Sequence, residues 1–417
     1  MKLHNPHPWH KQRRVDGHPE SVSSATTKHE AASTSSDVER YRDAAERRDS
    51  TTATVTEESF KERFGFTHAE GWSAAETDWN VTARGGLEHM WRILQTLPES
   101  HVTHDMLKSF KYEKFEPFQD LPGGTYRDDT KEIAIRYDDR MREDSPRYKG
   151  GRGTEEGDPL HEADRLDETV KHEVGHSLDA LRKYSERFNP ADWRDHTPTE
   201  MLDALVDGHG KGDEPFKDDF KTLLGTLVKH PKFTLDRDDE DHDDLPSALD
   251  ELIDAALDEQ TPEFTADDRA RLAGALERLG LHDEANRKAA LGDLIEEQEG
   301  LFDALDADDF RVGDRVYKHC AGEGWRSYDT ADQARKVSSY QYKTPSEWFA
   351  EHYAAYYYSP ATRDWLKDND PYVHDFFRNY VDTGQELPDT VNGTNTGRPV
   401  NYTSSGDPTA PFTHHAS

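Results

Sequence analysis

Asp167-Glu168-Thr169-Val170-Lys171-His172-Glu173-Val174-Gly175-His176-Ser177-Leu178-Asp179 is the stretch on which the reading of this chain turns. Val170, Val174, Leu178 and Leu181 recur at helical spacing and Asp167 can serve as N-cap, so the pattern predicts a helix over about 168–188. Residues four apart on a helix lie one turn above each other, so His172 and His176 can offer two imidazole nitrogens to one zinc ion. Glu173 then sits beside the metal. This is the HExxH spacing of zinc peptidases, whose glutamate is not a ligand but takes a proton from the attacking water. Gly175 would admit close approach of another backbone. The motif alone is weak: 22 histidines in 417 residues give about 0.1 chance matches to it, and an ordinary helix with solvated histidines is the competing reading. His161-Glu162 lacks the second histidine altogether.

A catalytic zinc site takes three protein ligands and keeps one position open, which calls for a carboxylate from another element. Thr344-Pro345-Ser346-Glu347-Trp348-Phe349-Ala350-Glu351 supplies one. Glu347 and Glu351 lie one helical turn apart, so the first can ligate while the second orients a zinc-bound histidine through its free ring nitrogen. Thr344 to Glu347 also matches Thr-x-x-Glu with proline at the first helical position, a helix start that needs no metal. On spacing alone both readings stand.

With Ser339-Tyr340 added, the two motifs resemble those of the anthrax lethal factor family of metallopeptidases and their Pro-Pro endopeptidase relatives, which pair an HExGHxxD helix with a later ExFAE helix. The resemblance implies that Glu347 is the third zinc ligand. It also implies that Tyr340, seven residues earlier, faces the metal and donates its phenolic hydrogen to the oxyanion of a tetrahedral intermediate. A packed tyrosine in an aromatic stretch is the plainer alternative. Asp179 is too far along the helix axis to share the metal and reads as a supporting or structural residue. The resemblance spans roughly 110–185 and 310–360 and is specific only in the two motifs. Two departures stand out: 170 residues separate His176 from Glu347, which requires an insertion, and the chain shows no secretion signal of the kind its toxin relatives carry.

Acidic residues outnumber basic ones, 86 to 52, for a formal charge of -34 spread along the chain. In molar salt the Debye length falls to roughly 3 Å, so such a surface repels itself little and stays hydrated. A salt-rich cytosol, of a haloarchaeon or one of its viruses, or a virion assembled there, is the expected setting. The charge argues against a nucleic-acid partner, which needs clustered Lys and Arg; Lys11 to Arg14 is the one small basic group near the N-terminus. No stretch reaches membrane-spanning length, and no membrane partner is expected. Cys320 is the single cysteine, so a Cys-based metal site is excluded and a buried thiol is expected.

Residues 1–70 read as a disordered polar arm, in which Asp37–Arg48 could form a polar helix and His4, His7 and His10 are a solvated cluster rather than a metal site. Residues 71–200 form a first lobe, ordered from about Trp72, with a helix over 87–97 and strands in 111–137 around Phe115, Phe118 and an Asp128-Asp129 turn. A Gly-rich loop over 149–157 leads into the HExxH helix. Residues 201–310 form an acidic helical insertion, clearest at 249–257, 267–279 and 285–297, with the run Asp236–Asp244 a solvated loop lacking calcium-loop spacing. Residues 311–385 form a second lobe with helices over 345–358 and 371–381, and 386–417 is a disordered tail.

The expected fold is α+β and, by the resemblance, zincin-like: a small twisted sheet on the active-site helix, a mostly helical second lobe supplying Glu347, and a cleft between. The expected activity is zinc-dependent hydrolysis of a protein or peptide. The alternatives are a non-enzymatic virion or assembly protein that keeps a zincin-like module, and a cytosolic regulatory protease.

Overall fold

A computed structural model describes residues 55–69, 87–114, 123–137, 151–230 without 152, 233, 245–320 without 308, and 324–387 without 386. The expected features at Asp37–Arg48, His4, His7, His10, Lys11–Arg14, Trp72, Phe115, Phe118 and Asp236–Asp244, and the tail from 388, lie outside the described residues.

The chain is α+β. It begins with α1 (Glu57–Phe64), α2 (Leu87–Gln95) and the short α3 (Glu99–Val102), followed by β1 (Ser109–Lys114), β2 (Gly123–Arg127) and β3 (Glu132–Tyr137). The expectation of an unpacked arm reaching residue 70 fails at α1. Thr56 caps that helix, and Phe60 and Phe64 drop into an aromatic cluster with Phe66, Trp91 and Phe110. Only these few apolar residues break the polar run, but burying a phenylalanine is worth about 1.5–3 kcal/mol, enough to recruit the helix.

The first sheet has the order β1-β3-β2, with β1 parallel and β2 antiparallel to β3. The hairpin read around Asp128-Asp129 is therefore present. Ile133, Ala134 and Ile135 are all fully buried, so β3 is covered on both faces and β2 is left as an edge strand.

The HExxH segment is α4 (Arg165–Arg182), which begins three residues before its expected start. Asp164, not Asp167, is the N-cap, its carboxylate accepting from the amides of Leu166 and Asp167. Lys183 ends the helix in a left-handed conformation, φ 56°, and the short α5 (Tyr184–Arg187) follows. Val170, Val174 and Leu178 are buried as the periodicity requires, and Leu181 partly so.

Next come β4 (Arg194–His196), α6 (Pro198–His209), α7 (Glu214–Leu227), α8 (Leu245–Leu257), α9 (Ala266–Arg278), α10 (Glu284–Glu297) and α11 (Glu299–Asp306). These helices share a core of their own, including Leu205, Phe220, Leu224, Ile253, Leu272 and Leu291, separate from that around α4. The insertion is thus a distinct helical layer. A second sheet, order β4-β7-β6-β5, ties it to the rest through β5 (Asp309–Val312), β6 (Arg315–Cys320) and β7 (Gly324–Asp329). Cys320 is buried, its thiol donating to the Lys343 carbonyl at 3.0 Å.

The chain closes with α12 (Pro345–Tyr358), α13 (Pro360–Asn369) and α14 (Pro371–Phe376), which runs into a π-turn over Phe377–Val381. The sequence reading missed α13, though Ser359 and Pro360 spell its start. Leu387, expected in the disordered tail, is buried, and its carbonyl accepts from Arg187 at 2.6 Å. Among the described residues no helix is long and apolar enough to cross a membrane.

α12 is buried almost all round, from Trp348 to Tyr357, and lies against α4. The two backbones meet at Gly175, where a Cβ would come within 3.1 Å of Ala350 Cα and of Tyr353 Cβ. The close approach expected of that glycine is what brings the two motif helices face to face.

Two histidines near this junction are held neutral. Burial pushes His104 down to about 4, helped by the charge of His101, and burial likewise brings His352, stacked on Trp348 at 3.8 Å, to about 4. Between that value and the ordinary ~6.5 the unfolded chain binds more protons, so stability rises with pH across this window and is lost on acidification. The melting temperature should therefore drop between about pH 6.5 and pH 4, and His104→Gln should make the drop shallower. An unchanged profile in that variant would remove His104 from the account.

Candidate metal centre

His172 and His176 project from α4 toward the first turn of α12. Their Nε2 atoms lie 3.0 Å apart, and Glu347 Oε2 stands 2.9 Å from the first and 3.2 Å from the second. The three atoms form a compact triangle of two imidazole nitrogens and one carboxylate oxygen, a set that could hold a metal ion. Glu347 is brought there by its helix cap. Thr344 accepts from the Glu347 amide at 3.1 Å, while the Glu347 carboxylate turns to the histidines instead of back to the cap. Capping, which the spacing left as a rival to ligation, thus uses the Glu347 amide and leaves its carboxylate at the histidines.

The electrostatics favour a cation at this point. Burial pulls the His172 pKa down, but hydrogen bonding and charge from Glu347 and Glu351 outweigh it and raise it well above its ordinary value. Burial pushes Glu347 up, yet the two histidines win and hold it well below the usual carboxylate range. The same negative charge would attract a metal cation, which would have to displace the proton from His172.

Each imidazole has its own support behind it. His172 Nδ1 lies 2.8 Å from Glu351 Oε1, although the oxygen stands off the line of the ring N–H; both atoms are buried with no other hydrogen-bond partner, so each answers for the other. Glu351 Oε2 accepts from Ser338 at 2.6 Å. His176 Nδ1 meets Ser346 Oγ at 3.0 Å, and burial pushes the nearby Asp179 carboxyl up against the opposing influence of Ser185, His176 and Ser346. Asp179 also takes the amide and hydroxyl of Ser185 at 2.7 and 2.6 Å, which anchors the turn after α4. Asp179 thus lies close to both Ser346 and His176, a proximity that no sequence pattern announced because Ser346 and His176 are 170 positions apart. A second grouping, Glu168, His172 and Glu351, is wholly buried and shares His172, with Arg165 3.8 Å from Glu168.

Tyr340 sits on a 3-10 turn, Ser339–Tyr342, capped by Ser338, the residue that also holds Glu351. Its ring lies edge-on to His172 with centroids 5.8 Å apart, and the Lys343 ammonium covers the ring at 4.2 Å. The Ser339 amide donates to the Gly153 carbonyl at 2.9 Å, so the loop before α4 braces this turn.

These groups line a cleft of about 820 Å³. Its floor holds His172, Glu173, His176, Glu347 and Tyr340, one wall is the edge strand β2 with Gly124, Thr125 and Tyr126, and the other includes Trp193 and the 2.7 Å pair Asp195–Arg326. Sequence reading named the floor and not the second wall, where Asp195 of β4 and Arg326 of β7 come from either side of the insertion and Trp193 just precedes β4. No protein-family model, curated protein or solved structure matches this chain.

Proposed function

We propose that this chain is a zinc-dependent endopeptidase of zincin-like fold, related to the lethal factor and Pro-Pro endopeptidase family. The observation that carries the reading is the convergence of His172 Nε2, His176 Nε2 and Glu347 Oε2 to within 3.2 Å, with Glu173 and Tyr340 lining the same cleft. Donors held at the ~2.0–2.1 Å distances of tetrahedral zinc stand about 3.3 Å apart, so the triangle needs to open by only a few tenths of an ångström. The His/His/Glu donor set is one that zinc enzymes use.

The chemistry supplied at that position is Lewis acidity from a bound zinc ion, which polarises a scissile carbonyl and acidifies a water. Glu173 accepts the proton from the attacking water and delivers it to the leaving amine. Tyr340 donates its hydroxyl hydrogen to the oxyanion of the tetrahedral intermediate. Glu351 and Ser346 keep the two imidazoles turned toward the centre. An extended peptide adds to β2, an edge strand among the described residues, through main-chain hydrogen bonds.

The test is to load the full chain with zinc in molar KCl and digest a mixed peptide pool. Cleavage that stops with a chelator and returns with stoichiometric zinc supports the reading; no cleavage by zinc-loaded protein sinks it. Loss of the outer partner of a ligating histidine usually costs about 10–100-fold in metal affinity. Ser346→Ala should weaken zinc binding by that factor in a chelator competition, and an unaltered affinity would mean that His176 is oriented without Ser346.

A further inference from the structure

Glu173 is held against main chain. A Cβ built on Gly124 of β2 would lie 2.3 Å from Glu173 Cγ, 2.7 Å from Oε1 and 2.8 Å from Cδ, inside the 3.0 Å that Cβ contacts essentially never cross. The usual reason for a glycine is missing: Gly124 is not among the residues with positive φ. It pairs with Ile135 in a regular antiparallel ladder, a position where glycine normally weakens a strand and alanine would be the better residue. Glu173 is only 3% exposed, yet it lines the cleft, so its carboxylate occupies a slot roofed by the bare backbone of the edge strand.

We infer that Gly124 is a positioning residue for Glu173: the absence of a side chain on β2 creates the slot that fixes where the carboxylate stands relative to the two histidines and to a peptide laid along the strand. The catalytic consequence rests on the peptidase reading, but the geometry does not. Glu173 is one residue from His172, and the slot acts on where its carboxylate lies without touching any of the three donor atoms.

The experiment compares Gly124→Ala in two backgrounds, the natural chain and Glu173→Ala, each as full-length protein with zinc. With Glu173 present the alanine methyl must displace its carboxylate end from the slot, so the melting temperature should fall. With Glu173→Ala the slot is empty, and the same substitution should leave the melting temperature unchanged or raise it. Bound zinc should stay stoichiometric throughout. In the natural background kcat should fall about 10²-fold, the cost of moving a reacting group by about an ångström, while KM changes little. A Gly124→Ala chain that folds only together with Glu173→Ala supports the inference equally. Equal destabilisation in both backgrounds, failure to fold in both, or an unchanged kcat would overturn it. If the natural zinc-loaded chain cleaves no peptide, the peptidase reading fails on its own, and the difference between the two backgrounds still decides whether Gly124 positions Glu173.

Discussion

Glu173→Gln should lower peptide hydrolysis by roughly 10²–10⁴-fold, the usual contribution of a positioned general base, while metal content stays near one ion per chain. The amide keeps the size of the carboxylate, so it fits the slot beneath β2 that a larger group could not enter. It cannot accept the proton of the attacking water, and that is the property removed. Metal binding should be unaffected because Glu173 is not among the three converging donors. The measurement is kcat for a cleaved peptide beside zinc content by mass spectrometry of the native protein. Full activity in this variant would sink the peptidase mechanism, and loss of zinc would mean that Glu173 is a ligand.

Glu347→Ala has a different signature. It removes one of three donors and, among the described residues, the only negative charge in direct contact with both Nε2 atoms. Full ligand sets supply about 10–16 kcal/mol, so losing one donor should weaken zinc binding on the order of 10²–10³-fold, and activity should fall with occupancy. The fold should survive, because Thr344 caps the Glu347 amide and not its side chain, and alanine is a good helix former. Circular dichroism unchanged in the metal-free protein, with affinity lost in chelator competition, is the expected pair of results. A variant that retains zinc at natural affinity would show that the third donor comes from elsewhere. Glu173→Gln and Glu347→Ala together separate catalysis from metal retention, since only the second should lose both.

The parts of this site that could be read from sequence are those written locally. His172 and His176 are legible because four residues make one turn of a helix, and the helix itself is announced by Val170, Val174 and Leu178. The start of α12 is legible for the same reason, since Thr344 and Pro345 form a self-contained signal. Glu351, one turn beyond Glu347, needed only helical spacing to be suspected as an outer partner, and it stands 2.8 Å from His172. The starts of α1 and α13 are also local, but α1 stands in a polar run and α13 is capped at Ser359, the residue that ends α12.

What the chain could not reveal by itself is which of these local pieces meet. Whether Glu347 caps a helix or faces two histidines depends on α12 lying across α4 at Gly175, a contact between residues far apart in sequence. The same holds for Ser346 beside His176, and for Gly124 over Glu173. The HExxH helix, the hairpin and the cap of α12 follow from periodicity and hydrogen bonds within a few residues, which sequence determines directly. The triangle of donors, the orientation of each imidazole and the slot for Glu173 arise only when buried faces pack. Packing at a close-packed interface is set by the shapes of both partners at once, and a single stretch of sequence holds only one of them.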